Sequence, residues 1–121
     1  MNDHNKTFGQ FIAEMRLEKR IPCSQLSKSI GISTAYLSQL EHGIRHNPDP
    51  KLVMKIAKAL NLSNDGSRML FTLYAEASGQ LPPDIIDYLT GDQTVQNALR
   101  QARDANATAE DWEHFIEQLK K

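Results

Sequence analysis

Residues 31–43 read GISTAYLSQLEHG. At helical spacing Leu37 and Leu40 fall on one side, and Thr34, Ala35, Ser38, Gln39 and His42 on the other. A helix face that meets only water usually carries Lys, Glu or Arg. This one carries short hydroxyl, methyl and amide groups, which suit a surface that must fit closely against something else.

Working outward, Gly31 permits the positive φ of a tight turn, Ile32 plugs the corner, and Ser33 caps a helix Thr34–His42 that Gly43 ends. Before the turn, Ser24–Ile30 reads as a short helix buried through Leu26 and Ile30. Further upstream, Thr7 with Gln10 forms a capping box that opens a helix to about Arg20, with Phe8, Phe11, Ile12 and Met15 inward. Downstream, the loop GIRHNPDP is stiffened by two prolines, and Asp49-Pro50 starts a fourth helix with Leu52, Val53, Ile56, Ala57 and Leu60 inward. A fifth helix, about Ser67–Ser78, closes at Gly79.

The segment QLPPD interrupts helix and marks a boundary, giving two expected domains, 1–78 and 79–121. Beyond it lie a short helix with Ile85, Ile86 and Leu89, then two longer amphipathic ones. The first carries Val95, Ala98, Leu99 and Ala102; the second, capped by Thr108 with Asp111, carries Trp112, Phe115, Ile116 and Leu119. Two helices cannot hide both stripes from water, so this region needs the first domain or a second copy of the chain. The expected class is all-α: a five-helix domain followed by a C-terminal helical hairpin.

Composition narrows the function. No run approaches the roughly 20 apolar residues of a membrane span, and MNDHNKTFGQ lacks an apolar signal segment. A cytoplasmic location is expected. The single cysteine, Cys23, and the histidines His4, His42, His46 and His114 show no metal-site spacing, so neither metal nor cofactor is expected. No Ser-His-Asp set, carboxylate pair or phosphate loop appears at usable spacing, which argues against an enzyme. The charge is split. Residues 1–60 hold nine Lys and Arg against five Asp and Glu, a balance of +4, and residues 61–121 hold five against ten, a balance of −5. The basic half suits a polyanion.

Helix, Gly-centred turn and helix is the arrangement of a helix-turn-helix, whose second helix enters the DNA major groove. Short side chains let its backbone approach the base edges. Thr34 and Ser38 can exchange hydrogen bonds with several bases, Ala35 can touch a thymine methyl, and Gln39 can pair bidentately with adenine.

The string GISTAYLSQLEHG, the R-x-N-P loop after it, and LVMKIAKALNL resemble the XRE family of lambda-repressor-like DNA-binding regulators, over roughly residues 7–78. The resemblance implies base contacts from Thr34, Ala35, Ser38 and Gln39. It implies phosphate contacts from Ser24, Ser33, Tyr36, Arg45 and His46, and a structural ion pair between Arg16 and Glu41. This chain departs from the family pattern where Gln usually begins the second helix, with a cap residue before it and Ala four places later. Here Cys23, Pro22 and Ser27 stand in those places, so the side chain of the usual glutamine–phosphate contact is absent.

The segment VQNALRQARDANATAEDWEHFIEQL is similar to the helical-hairpin dimerisation region of biofilm and sporulation repressors in that family. This similarity implies self-association through Val95, Leu99, Trp112, Phe115, Ile116 and Leu119. The expected function is a homodimeric, sequence-specific regulator of transcription, acting on double-stranded DNA as a repressor. The alternative is an antitoxin-like or adaptor module whose acidic C-terminal helices capture another protein.

Overall fold

Side-chain caps open four of the first five helices of the computed structural model, which describes residues 6–121; His4 and Asp3 lie outside them. Helix α1 (Phe8–Glu18) starts at the capping box, where Thr7 Oγ1 accepts from Gln10 N at 3.1 Å and Gln10 Oε1 accepts from Thr7 N at 3.0 Å. Helix α2 (Cys23–Ile30) has Pro22 before it and no side-chain cap. Helix α3 (Thr34–Glu41) is capped by Ser33 and α4 (Pro50–Ala59) by Asp49. Helix α5 (Asn64–Ser78) begins three residues before the expected Ser67, because Ser63 Oγ accepts from Gly66 N at 3.0 Å and recruits Asn64–Gly66 into its first turn.

Two helices stop earlier than their periodicity suggested. Helix α1 ends at Glu18 rather than near Arg20: Arg20 takes φ 58°, and Ile21 N donates back to Arg16 O at 3.0 Å. Helix α3 ends at Glu41, with His42 as its C-cap. Gly43 at φ 76° then turns the chain so that its N–H reaches Leu40 O and that of Ile44 reaches Gln39 O. The same pair of bonds closes α2 around Gly31, from Gly31 N to Lys28 O and from Ile32 N to Ser27 O.

These helices enclose one core. Helix α1 packs on α3 and α5, α2 on α3 and α4, and α4 on α5. Ile12, Leu37, Leu40, Val53, Ile56, Leu60, Leu70 and Tyr74 are wholly excluded from solvent. Truncating a leucine such as Leu37 to alanine in such a core costs about 2–5 kcal/mol. Phe8 meets Tyr74 edge-on with ring centroids 5.6 Å apart. The Tyr74 hydroxyl donates to Pro48 O at 2.7 Å, which ties the loop after α3 to α5.

Gly9 sets how closely α1 approaches α3. A Cβ built there would lie 2.2 Å from Leu40 O and 2.7 Å from Glu41 O, both backbone atoms that cannot rotate away. The glycine is therefore a packing requirement at the end of α3.

The chain continues through α6 (Pro83–Thr90), α7 (Gln93–Asp104) and α8 (Ala109–Leu119), and the described residues contain helices only. Contacts divide it into one unit ending at Ile86 and another, Asp87–Lys121. The division falls within α6. Gln80 Nε2 donates to Asn47 Oδ1 at 3.2 Å and Pro83 is buried, so the proline pair stays attached to the first unit. In the second unit, Thr108 and Asp111 form the expected capping box, yet neither α7 nor α8 contains a fully buried residue. No described helix is long and apolar enough to cross a membrane.

Gly9→Ala should lower stability by at least about 2 kcal/mol, because backbone rather than a flexible side chain must yield; thermal melts check this, and an unchanged melting temperature contradicts it. Burial raises the Tyr74 hydroxyl above its ordinary range. The unfolded chain then ionises first, near pH 10, so this contribution is whole below pH 10 and is lost as pH climbs through the folded value. Tyr74→Phe should cost about 1–2 kcal/mol at neutral pH and make the alkaline loss of stability shallower, read from urea melts at pH 7–11; parallel pH profiles for both proteins speak against it.

Candidate nucleic-acid interface

The face singled out in the sequence lies open along α3. Thr34, Ala35 and His42 are exposed, and Ser38 and Gln39 half-buried, while Leu37 and Leu40 on the opposite side have no exposure. The cap at Ser33 holds the first turn: its Oγ accepts from Tyr36 N at 3.0 Å, which leaves the hydroxyl proton to donate elsewhere. Tyr36 is half-buried against the core.

Arg16 and Glu41 fix the far end of α3. Arg16 Nε donates to Glu41 Oε2 at 2.7 Å and Nη2 to Oε1 at 3.0 Å, while Nη1 reaches Ile21 O at 3.0 Å. Both side chains are largely buried. The hydrogen bonds to Glu41 raise the guanidinium pKa above its ordinary value against the opposing effect of burial. The pair is bidentate and its third donor is satisfied, the condition under which a buried ion pair is tolerated.

The loop after α3 is anchored at both ends. The carbonyl of Gln39 accepts from Ile44 N at 3.0 Å and Arg45 N at 3.2 Å, so the backbone of Gln39 positions the start of the loop. Pro48 is held by Tyr74 and Asn47 by Gln80. Arg45 and His46 between these anchors are exposed. Ser24 is exposed in the first turn of α2, next to the half-buried Cys23. The structure thus brings Ser24, Ser33, Thr34, Ala35, Ser38, Gln39, Arg45 and His46 onto the helix-turn-helix and its adjoining loop.

Two residues outside the expected contact set adjoin this face, one exposed and one buried beneath it. His42 Nδ1 lies 2.8 Å from Ser38 O and 3.3 Å from Ser38 Oγ. A carbonyl oxygen can only accept, so Nδ1 carries a proton and Nε2 is turned away from that bond. Helical periodicity already put His42 on this side. The other is Ser27, buried in α2, whose Oγ donates to Ser24 O at 3.0 Å and lies 3.1 Å from Thr34 Oγ1. In the sequence alone, Ser27 stands out only as an exception to a family alanine.

Comparison with known proteins shows the family. The helix-turn-helix family model matches residues 12–64. The chain is 33% identical over 61 residues to the HTH-type transcriptional repressor RghR of Bacillus subtilis, covering 50% of this chain and 45% of RghR. It is 28% identical over 120 residues to the regulator RghRB of the same organism, covering 92% of this chain and 81% of that one. It is 32% identical over 74 residues to the ImmF control region 10 kDa protein of Bacillus phage phi105, covering 61% of this chain and 81% of the phage protein. The family match and these relatives place the chain among helix-turn-helix regulators: it belongs to the XRE family.

Proposed function

We propose that the chain is a cytoplasmic, sequence-specific repressor that binds double-stranded DNA as a homodimer, with α3 in the major groove. The observation that carries this reading is the two-sidedness of α3: Leu37 and Leu40 wholly buried, and Thr34, Ala35, Ser38 and Gln39 turned to the open side. Such a face can approach base edges without a long side chain holding the backbone away. Gln39 would form a bidentate pair with adenine and Ala35 a contact with a thymine methyl, while Thr34 and Ser38 exchange hydrogen bonds. Ser24, Ser33, Tyr36, Arg45 and His46 would meet phosphates, giving affinity and salt dependence but no sequence information. The +4 balance of residues 1–60 favours that encounter.

Dimerisation is assigned to the second unit. Trp112, Phe115, Ile116 and Leu119 are 39, 48, 48 and 68% exposed, and Leu99 is exposed beside the half-buried Val95. Thr94, Val95, Ala98, Leu99, Trp112 and Phe115 help line an apolar groove of about 490 Å³. Two subunits joined there would present two α3 helices to half-sites about 34 Å apart, one helical turn of DNA. A second reading draws on the same groove together with the −5 balance of residues 61–121: a heterologous protein could occupy it and compete with self-association.

Gln39→Ala should relax preference at one base pair of each half-site, costing about 1–3 kcal/mol of discrimination. Arg45→Ala should weaken all sequences alike and flatten the salt slope by about one. Binding-site selection and salt titration read both, and an unchanged selected motif with Gln39→Ala refutes the base assignment. Trp112→Ala with Phe115→Ala should shift the chain toward monomer in sedimentation and reduce affinity for a two-half-site operator more than for a single half-site. A wild-type chain that sediments as a monomer but co-purifies with a stoichiometric partner favours the second reading.

A further inference from the structure

Ser27 has one hydroxyl proton and two oxygen neighbours. One, Ser24 O at 3.0 Å, is a carbonyl and can only accept; the other, Thr34 Oγ1 at 3.1 Å, can do either. Both contacts are hydrogen bonds in only one arrangement: Ser27 donates to Ser24 O, and Thr34 donates to Ser27 Oγ. Ser27 is 2% exposed, so water does not compete for its proton, and in a chain of this kind each bond polarises the next. Ser27 is also held from below, because its carbonyl accepts from Ile32 N at 3.0 Å and closes the turn between the two helices.

We propose that Ser27 is a positioning residue that fixes the polarity of the Thr34 hydroxyl and makes Thr34 a reader of exocyclic amino groups. The inference rests on the placement of α3 in the major groove. An unconstrained threonine hydroxyl presents one donor and two acceptors and suits any base. With its proton committed to Ser27, Thr34 Oγ1 offers lone pairs alone. The major-groove partners for an acceptor are adenine N6 and cytosine N4; guanine O6 and N7 and thymine O4 have no proton to give. A residue that would otherwise tolerate every base therefore selects adenine or cytosine on the strand it faces.

The test is binding-site selection followed by titration of operators carrying each of the four bases at the position read by Thr34, defined as the position whose preference disappears in Thr34→Val. The full chain is compared with Ser27→Ala, Thr34→Val and the double variant, after circular dichroism and thermal melts establish that each is folded. The wild type should prefer adenine or cytosine there, on the order of five- to tenfold as one hydrogen bond allows. Ser27→Ala should reduce this below about twofold while leaving the position lost in Gln39→Ala, and affinity for unrelated DNA, unchanged. Adding Ser27→Ala to Thr34→Val should change nothing further, an outcome that a general loosening of the turn would not give.

The proposal is overturned if Ser27→Ala retains the wild-type preference, or if it alters specificity equally without the Thr34 hydroxyl. It is also overturned, even should Ser27→Ala fail to fold, if the wild type prefers guanine or thymine at that position. A wild type that selects no motif at all removes the underlying DNA-reading account instead, a result distinct from each of these.

Discussion

The close seating of α1 against the end of α3 is the constraint on which the rest depends. Gly9 lacks the Cβ that would collide with Leu40 O and Glu41 O, and the Arg16–Glu41 fork ties the two helices together beside it. Neither contact involves the open face of α3. A helix of eight residues has little stability of its own. Its buried leucines, the ion pair at its last turn and the serine cap at its first turn replace what length would otherwise supply. The exposed side is consequently left to chemistry rather than to folding.

The same economy shapes the loop that follows. Gly43 turns the chain, the carbonyl of Gln39 takes two backbone donors, and Tyr74 holds Pro48 from α5. Arg45 and His46 thus sit on a segment pinned at both ends. Their backbone origins are held by these hydrogen bonds, which under the proposed function would limit the entropy lost when the side chains meet a phosphate.

Much of this architecture was legible in the residues because its signals are local. The Thr7–Gln10 and Thr108–Asp111 boxes, the caps at Ser33 and Asp49, and the turns at Gly31 and Gly43 each act within a few positions of the chain. The apolar periodicity of α3 was enough to separate its two faces. Signals that depend on distant partners were not legible. Gly9 reads locally as a weak helix residue, and its purpose appears only when the α3 backbone is beside it. Asn64–Gly66 reads as loop by composition, and one hydroxyl at Ser63 makes it helix. Ser27 reads as an odd substitution until Thr34 is placed 3.1 Å from its oxygen.

The second unit follows from a different imbalance, since its helices are well capped but bury nothing completely. Under the proposed function, joining two such units would match the two-fold symmetry of an operator and would give two short α3 helices the affinity that one lacks. The most direct measurement of the central claim is dimethyl sulfate protection of guanine N7, an atom of the major groove, on a selected operator. The account predicts protection in two patches about one helical turn apart, on one face of the duplex; protection confined to adenine N3 in the minor groove, or none at salt concentrations where the complex persists, would contradict it.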